Sequence, residues 1–163
     1  MKSDPVDKIL AQWQRERPDL DVSPMGIIGR VGRLSKHLER SLQETFSEFG
    51  LTVAEFDVLA ALRRSGQPYR LSPTELFNTL MVTSGTMTHR IDRLEQTDLV
   101  KRIPDMNDRR GLLIELTDKG FNLIERAVEA HVMNEHRILS VLEQSERQDL
   151  AQLLRKLLVA FED

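Results

Sequence analysis

Six hydroxyl-bearing residues stand where helices should begin, and one stretch between them refuses helical spacing. Ser23 precedes Pro24, the pairing of an N-cap with a first helical position whose missing N–H costs nothing. Thr52 to Glu55 and Ser72 to Glu75 both read as capping boxes, with a hydroxyl at the cap and a Glu three residues later. Thr83 or Ser84, Thr117 and Ser145 are the remaining caps. Behind each cap the apolar residues recur every three or four positions. Ile28, Val31, Leu34, Leu38 and Leu42 lead to Phe46 and Phe49 and stop before Gly50. Phe56, Leu59 and Leu62 make a second core helix, and Gly66 and Pro68 then break the chain. A short helix is expected over 73–80 and a longer one over 84–97, with Ile91 and Leu94 inward. Phe121, Ile124, Val128 and Val132 start a long helix reaching about 142. Leu150, Leu153, Leu154, Leu157, Leu158 and Phe161 form one face of the last.

The exception is 99–116. Val100 and Ile103 precede the polar run "PDMNDRRG", after which Leu112, Ile114 and Leu116 alternate with period two, as in a half-buried strand. A two-stranded hairpin with a long tip follows from this pattern. Three helices, a hydroxyl-rich third one, and a hairpin make the order of a winged helix-turn-helix. The expected class is mainly α (α+β), with residues 1–50 as N-terminal helices, 51–116 as the DNA-binding winged helix-turn-helix, and 117–163 as C-terminal dimerisation helices.

Composition narrows the chemistry. The chain has no cysteine, which removes disulfides, thiolate metal sites and cysteine nucleophiles and fits a reducing cytoplasm. The four histidines are His37, His89, His131 and His136; the last two are five apart and fall on different helix faces, so no metal site is expected. No phosphate-binding glycine loop or nucleophile elbow is present, so neither a cofactor nor an enzyme is expected. The N-terminus is too charged for a secretory signal, and no apolar run approaches the ~18 residues of a membrane span. The net charge of −3 argues against a general coater of nucleic acid. Yet Lys101, Arg102, Arg109 and Arg110 outnumber Asp105 and Asp108 around the hairpin. A basic patch on an otherwise neutral or acidic chain suits specific DNA binding.

A recognition helix sets its N-terminal residues at base edges in the major groove. Ser84, Gly85, Thr86 and Thr88 suit that place, being short enough to let the backbone approach. His89 and Arg90 reach further, and Arg is the usual bidentate partner of guanine. Ser72 and Thr74 on the preceding helix and Arg93 complete the helix-turn-helix candidates. Arg109 and Arg110 at the wing tip would follow a phosphate strand or enter the minor groove. Alone, a Ser/Thr-rich helix start is only a cap and a basic turn only a solvated turn; their order after two capped helices joins them. The rival reading is a winged helix serving protein–protein contact without sequence-specific DNA binding. Such modules usually lack both base-reading side chains and a basic wing.

The run "DMNDRRGLLIELTDKG" (Asp105 to Gly120) resembles the wing signature of the multiple-antibiotic-resistance regulator (MarR) family, and the likeness extends from Ser23 to the chain's end. The resemblance implies a winged-helix homodimer on a double-stranded, pseudo-palindromic DNA operator, released by a small anionic aromatic effector. It implies that Asp108 braces the wing through an ion pair and that Arg109 or Arg110 contacts DNA. The broad apolar faces of the C-terminal helices, with Ile9, Leu10 and Trp13, exceed what a wing and a short helix can cover and support a dimer independently, an intrachain helical bundle being the alternative. The extension "WQRERPDLDVSPM" (Trp13 to Met25) is similar to that of the urate-responsive, PecS-like subgroup. By that resemblance Trp13, Asp57, Arg90 and Arg102 form the ligand site. The chemistry agrees: two guanidiniums can hold a planar oxyanion, an indole can stack on it, and a carboxylate can accept a ligand N–H or hold an arginine.

Overall fold

The computed structural model describes residues 2–80, 87–106, 108 and 111–162, which fall in two compact units, 1–44 and 45–163. The first holds helix α1 (Pro5–Glu16) and most of α2 (Ser23–Ser47). Asp4 and Asp7 form a capping box at the start of α1, a pattern made here by two aspartates. Arg30 of α2 fastens that cap, donating to Asp4 at 2.8 Å and to Asp7 at 2.6 Å. Its guanidinium holds the Asp4 carboxyl below the ordinary range. Val6 is buried against the space left by Gly29.

The second unit contains α3 (Val53–Arg64), β1 (Arg70–Leu71), α4 (Pro73–Thr79), α5 (Met87–Gln96), β2 (Val100–Pro104), β3 (Leu112–Leu116), α6 (Asp118–Ile138), a 3-10 turn over 139–141, and α7 (Gln144–Glu162). Both expected capping boxes are present, at Thr52–Glu55 and Ser72–Glu75. Thr117 caps α6 by accepting from the Gly120 N–H at 3.0 Å. Gly50 takes φ +70°, open to glycine at little cost, and ends the helical segment. The core is Val58, Leu59, Leu62, Leu76, Ile91, Leu94, Ile114 and Ile124, all at most 2% exposed. The Phe46 and Phe56 rings stack beside it with centroids 3.9 Å apart.

Four details differ from the sequence reading. The wing is three-stranded, not two-stranded: β1 pairs with β3, Arg70 opposite Glu115 and Leu71 opposite Ile114, giving the antiparallel order β1-β3-β2. A two-residue strand is too short to show a period. Ser23 lies within α2, and the Asp21 carboxylate accepts its N–H at 2.9 Å. Ser145 lies within α7; Glu146 instead reaches back to the Glu143 N–H at 2.8 Å. Finally, α6 stops at Ile138, four residues early, where the chain turns through the 3-10 segment and Arg147 Nε donates to the Leu142 carbonyl at 3.0 Å. The expected caps Thr83 and Ser84 lie outside the described residues.

Candidate nucleic-acid interface and ligand residues

Helix α5 is anchored by two apolar side chains. Ile91 and Leu94, three apart on one face, are buried, and Thr88 and His89 are exposed. The polar residues thus keep free reach while the helix is held from behind. Arg90 is half-buried. Arg93 has another partner: its Nε lies 2.9 Å from Glu55 Oε1. Glu55 is 4% exposed, and its Oε2 also accepts from the Thr52 N–H and hydroxyl at 2.8 Å. A buried carboxylate needs such partners, since desolvation penalises its charge. One residue therefore caps α3 and holds α5 to it.

The wing is tied to α5 as well. Arg102, on β2, donates its backbone N–H to Glu95 at 3.1 Å and its guanidinium to Glu95 and Asp92. Asp92 and Glu95 are i, i+3 neighbours, so one arginine spans both carboxylates. Across the sheet Glu115 takes Lys101 at 2.7 Å and meets Arg70 at 4.0 Å, linking all three strands. At the wing tip the Gly111 N–H donates to the Asp108 carbonyl at 2.9 Å, and the Asp105 N–H donates to the Gly111 carbonyl at 3.0 Å.

On α4 the Ser72 hydroxyl is engaged in the capping box, donating to Glu75 at 2.8 Å and accepting the Glu75 N–H at 3.2 Å. Thr74 and Thr88 face a groove of about 420 Å³ that Arg102 also lines. Asp57, on α3, is half-buried. Desolvation pushes its carboxyl above the ordinary range, against the opposing pull of Arg64, Arg90 and His131. Asp57 and Arg90 are thus within each other's field, whereas the Arg102 guanidinium is held by Asp92 and Glu95. Trp13 stands on α1, 42% exposed. Ser84, Gly85, Thr86, Arg109 and Arg110 lie outside the described residues. Sequence reasoning gave Glu55 as a capping-box residue but not its ion pair with Arg93, and it missed Asp92 and Glu95. The i, i+3 carboxylate pair before a basic strand was a usable signal; the double role of Glu55 had none.

Residues 49–111 match the model of the MarR family. The HTH-type transcriptional regulator PecS of Dickeya dadantii is 49% identical over 149 residues, covering 91% of this chain and 90% of that protein. The multiple antibiotic resistance protein MarR of Escherichia coli is 31% identical, covering 85% and 93%. A crystal structure of an Escherichia coli MarR variant complexed with operator DNA superposes with a TM-score of 0.72 at 28% identity, covering 96% of this chain and 99% of that one. With these identities extending over nearly the whole chain, and with two capped helices, an anchored recognition helix and a sheet wing in order, the chain belongs to the MarR family of DNA-binding winged helix-turn-helix transcriptional regulators.

Proposed function

We propose that the chain is a cytoplasmic, ligand-responsive repressor that binds a pseudo-palindromic operator as a homodimer and leaves it when a small anionic aromatic compound, urate first, is bound. The observation that carries the DNA half is α5, with Thr88 and His89 exposed above buried Ile91 and Leu94 and with Arg102 joining the helix to the wing. In this reading Ser84, Gly85, Thr86, Thr88, His89 and Arg90 meet the major groove, with Ser72 and Thr74 at its edge. Arg109 and Arg110 follow the flanking phosphates or minor groove, and Asp108 braces them. Arg93 contributes charge near the backbone while keeping Glu55 as its partner. Residues 117–163, with the N-terminal helices of 1–50, supply the two-fold contact around the 51–116 reader.

Trp13, Asp57, Arg90 and Arg102 serve the effector. Support comes from the chemistry of the last three. Asp57 bears a charge its surroundings penalise, with Arg90 as one of the cations easing it. Arg102 is a cation whose carboxylate partners an incoming anion would rival. Drawing Arg90 or Arg102 towards a ligand acts on α5 itself, so effector and operator should weaken one another by the same factor.

The experiment combines gel shift with the emission of Trp13, the only tryptophan. Urate, xanthine and salicylate are titrated into free and operator-bound protein, alongside an Arg109→Ala, Arg110→Ala variant. The variant should lose several kcal/mol of operator binding at ~1–3 per contact, with a salt slope smaller by about 0.9 per lost phosphate contact. Unchanged affinity removes the wing from the reading. If no compound both quenches Trp13 and releases DNA, the effector residues are wrong and the DNA-binding assignment stands alone.

A further inference from the structure

The two oxygens of the Glu55 carboxylate serve different elements. Glu55 lies in the first turn of α3 and is buried, 4% exposed. Its Oε2 accepts from the Thr52 N–H and hydroxyl, both at 2.8 Å, inside the α3 capping box. Its Oε1 lies 2.9 Å from Arg93 Nε, on α5. One oxygen is thus fixed to α3, and the other reaches across to the recognition helix.

The Ile91 and Leu94 contacts that hold α5 to the core are apolar, and apolar attraction is non-directional. It decides which face of the helix is buried but resists sliding along the axis only weakly. The pair with Glu55 is directional, and its acceptor is immobilised by two further hydrogen bonds. Arg93 stands four residues after His89 and five after Thr88, about one turn beyond the side chains proposed to meet base edges. A hydrogen bond to a base tolerates only a few tenths of an ångström around ~2.9 Å. An axial shift of about 1 Å, less than the rise of one residue, breaks it. Attraction to phosphates hardly changes over that distance, the Debye length being about 8–10 Å.

We propose that Glu55 is a positioning residue for sequence reading: through Arg93 it sets where α5 stands against the core, and so which base edges Thr88 and His89 reach. The inference rests on the reading of α5 as the recognition helix and adds to it a residue too buried to touch DNA. Bare electrostatics gives the opposite sign. Removing a negative charge next to a DNA-facing helix should strengthen binding to any polyanion. A positioning role makes the same change cost affinity on the operator alone.

Glu55→Gln separates the two roles. Gln still closes a capping box. With its oxygen taken by Thr52, however, it turns an amide NH2 towards the guanidinium in place of a carboxylate oxygen. The probes are a duplex that the parent chain enriches from a random-sequence pool and a scrambled duplex of the same composition, compared by gel shift at one salt concentration. Glu55→Gln should lower the ratio of selected to scrambled affinity by about tenfold, the scale of one lost base contact, with scrambled affinity equal to the parent's or higher. Arg93→Gln, a change at an exposed side chain outside the α3 cap, should lower the ratio by a similar factor. Adding Glu55→Gln to it should lower the ratio no further, because the two residues share one interaction. Thr52→Ala is the structural control. It removes the hydroxyl and keeps the N–H that Glu55 accepts, so the urea midpoint should fall while the ratio holds. Circular dichroism checks that each variant is folded. An unchanged or higher ratio in Glu55→Gln, equal losses on both duplexes, a further loss in the double variant, or a ratio that falls as far in Thr52→Ala would each overturn the assignment. If the parent enriches no sequence, the reading of α5 fails and this inference with it. If parent and Glu55→Gln discriminate alike, this inference alone fails.

Discussion

A Cβ placed on Gly120 would lie 1.9 Å from the Leu99 carbonyl oxygen, and that oxygen also accepts the Thr117 N–H at 3.2 Å. The obstacle is backbone already fixed by a hydrogen bond, so it cannot swing aside as a side chain would. Gly120→Ala should therefore destabilise the fold by about 1–3 kcal/mol or more, the cost of overpacking a fitted contact. Urea denaturation measures it, and an unchanged midpoint would mean that α6 slides freely over the α5–β2 turn. Asp57 offers the opposite sign. Its folded carboxyl titrates above its ordinary value, chiefly through desolvation. The ionised form is thus the one that folding penalises, and stability falls as pH rises through the folded pKa. Asp57→Asn should raise the melting temperature near neutral pH, and the gain should shrink as pH drops below the ordinary carboxylate range, ~4. A variant that melts lower than the parent at neutral pH would show that Arg64, Arg90 and His131 outweigh burial.

At the scale of elements, α5 is held on two sides by arginines facing carboxylates. Arg93 reaches Glu55 at the start of α3, and Arg102 reaches back from β2 to Asp92 and Glu95. Helix and wing are therefore joined by side-chain ion pairs as well as by the chain between them. Base contacts specify and phosphate contacts position. Thr88→Ala and His89→Ala should accordingly cost about 1–3 kcal/mol on the operator and much less on random DNA. Competition gel shifts with operator variants test this. Equal losses on both DNAs would reduce Thr88 and His89 to phosphate contacts.

For the whole molecule, the notable surface is apolar. Leu153, Leu154, Leu157, Leu158 and Phe161 on α7 are 46–87% exposed, and Ile27, Ile28, Val31 and Leu34 on α2 are 46–69% exposed. Monomeric proteins rarely present such contiguous stripes to water. A two-fold contact would cover them and place two recognition helices about one DNA turn apart, ~34–36 Å. Leu154→Glu with Leu157→Glu should shift sedimentation towards the monomer. It should also weaken operator binding by about a hundredfold or more, because the second half-site loses its tethered reader. No helix among the described residues is long and apolar enough to cross a membrane. An unchanged sedimentation coefficient would place the two-fold contact elsewhere.

The sequence by itself determined what depends on a few neighbouring residues. The capping boxes at Thr52 and Ser72 and the cap at Thr117 are local hydrogen bonds, legible from residue type and a spacing of three. Ile91 and Leu94 were legible as the inward face of α5 because helical periodicity needs no knowledge of the partner. Only the tertiary structure decided which charges meet. Arg93 with Glu55, Arg102 with Asp92 and Glu95, and Arg70 opposite Glu115 join segments that the chain must first fold together. Two-residue β1 exists because β3 offers it a ladder, and α6 ends at Ile138 although its apolar spacing would carry it further. The physical reason is range. Helix caps and periodicity act within one turn, whereas an ion pair or a strand edge is defined by whatever the rest of the fold brings within hydrogen-bond distance.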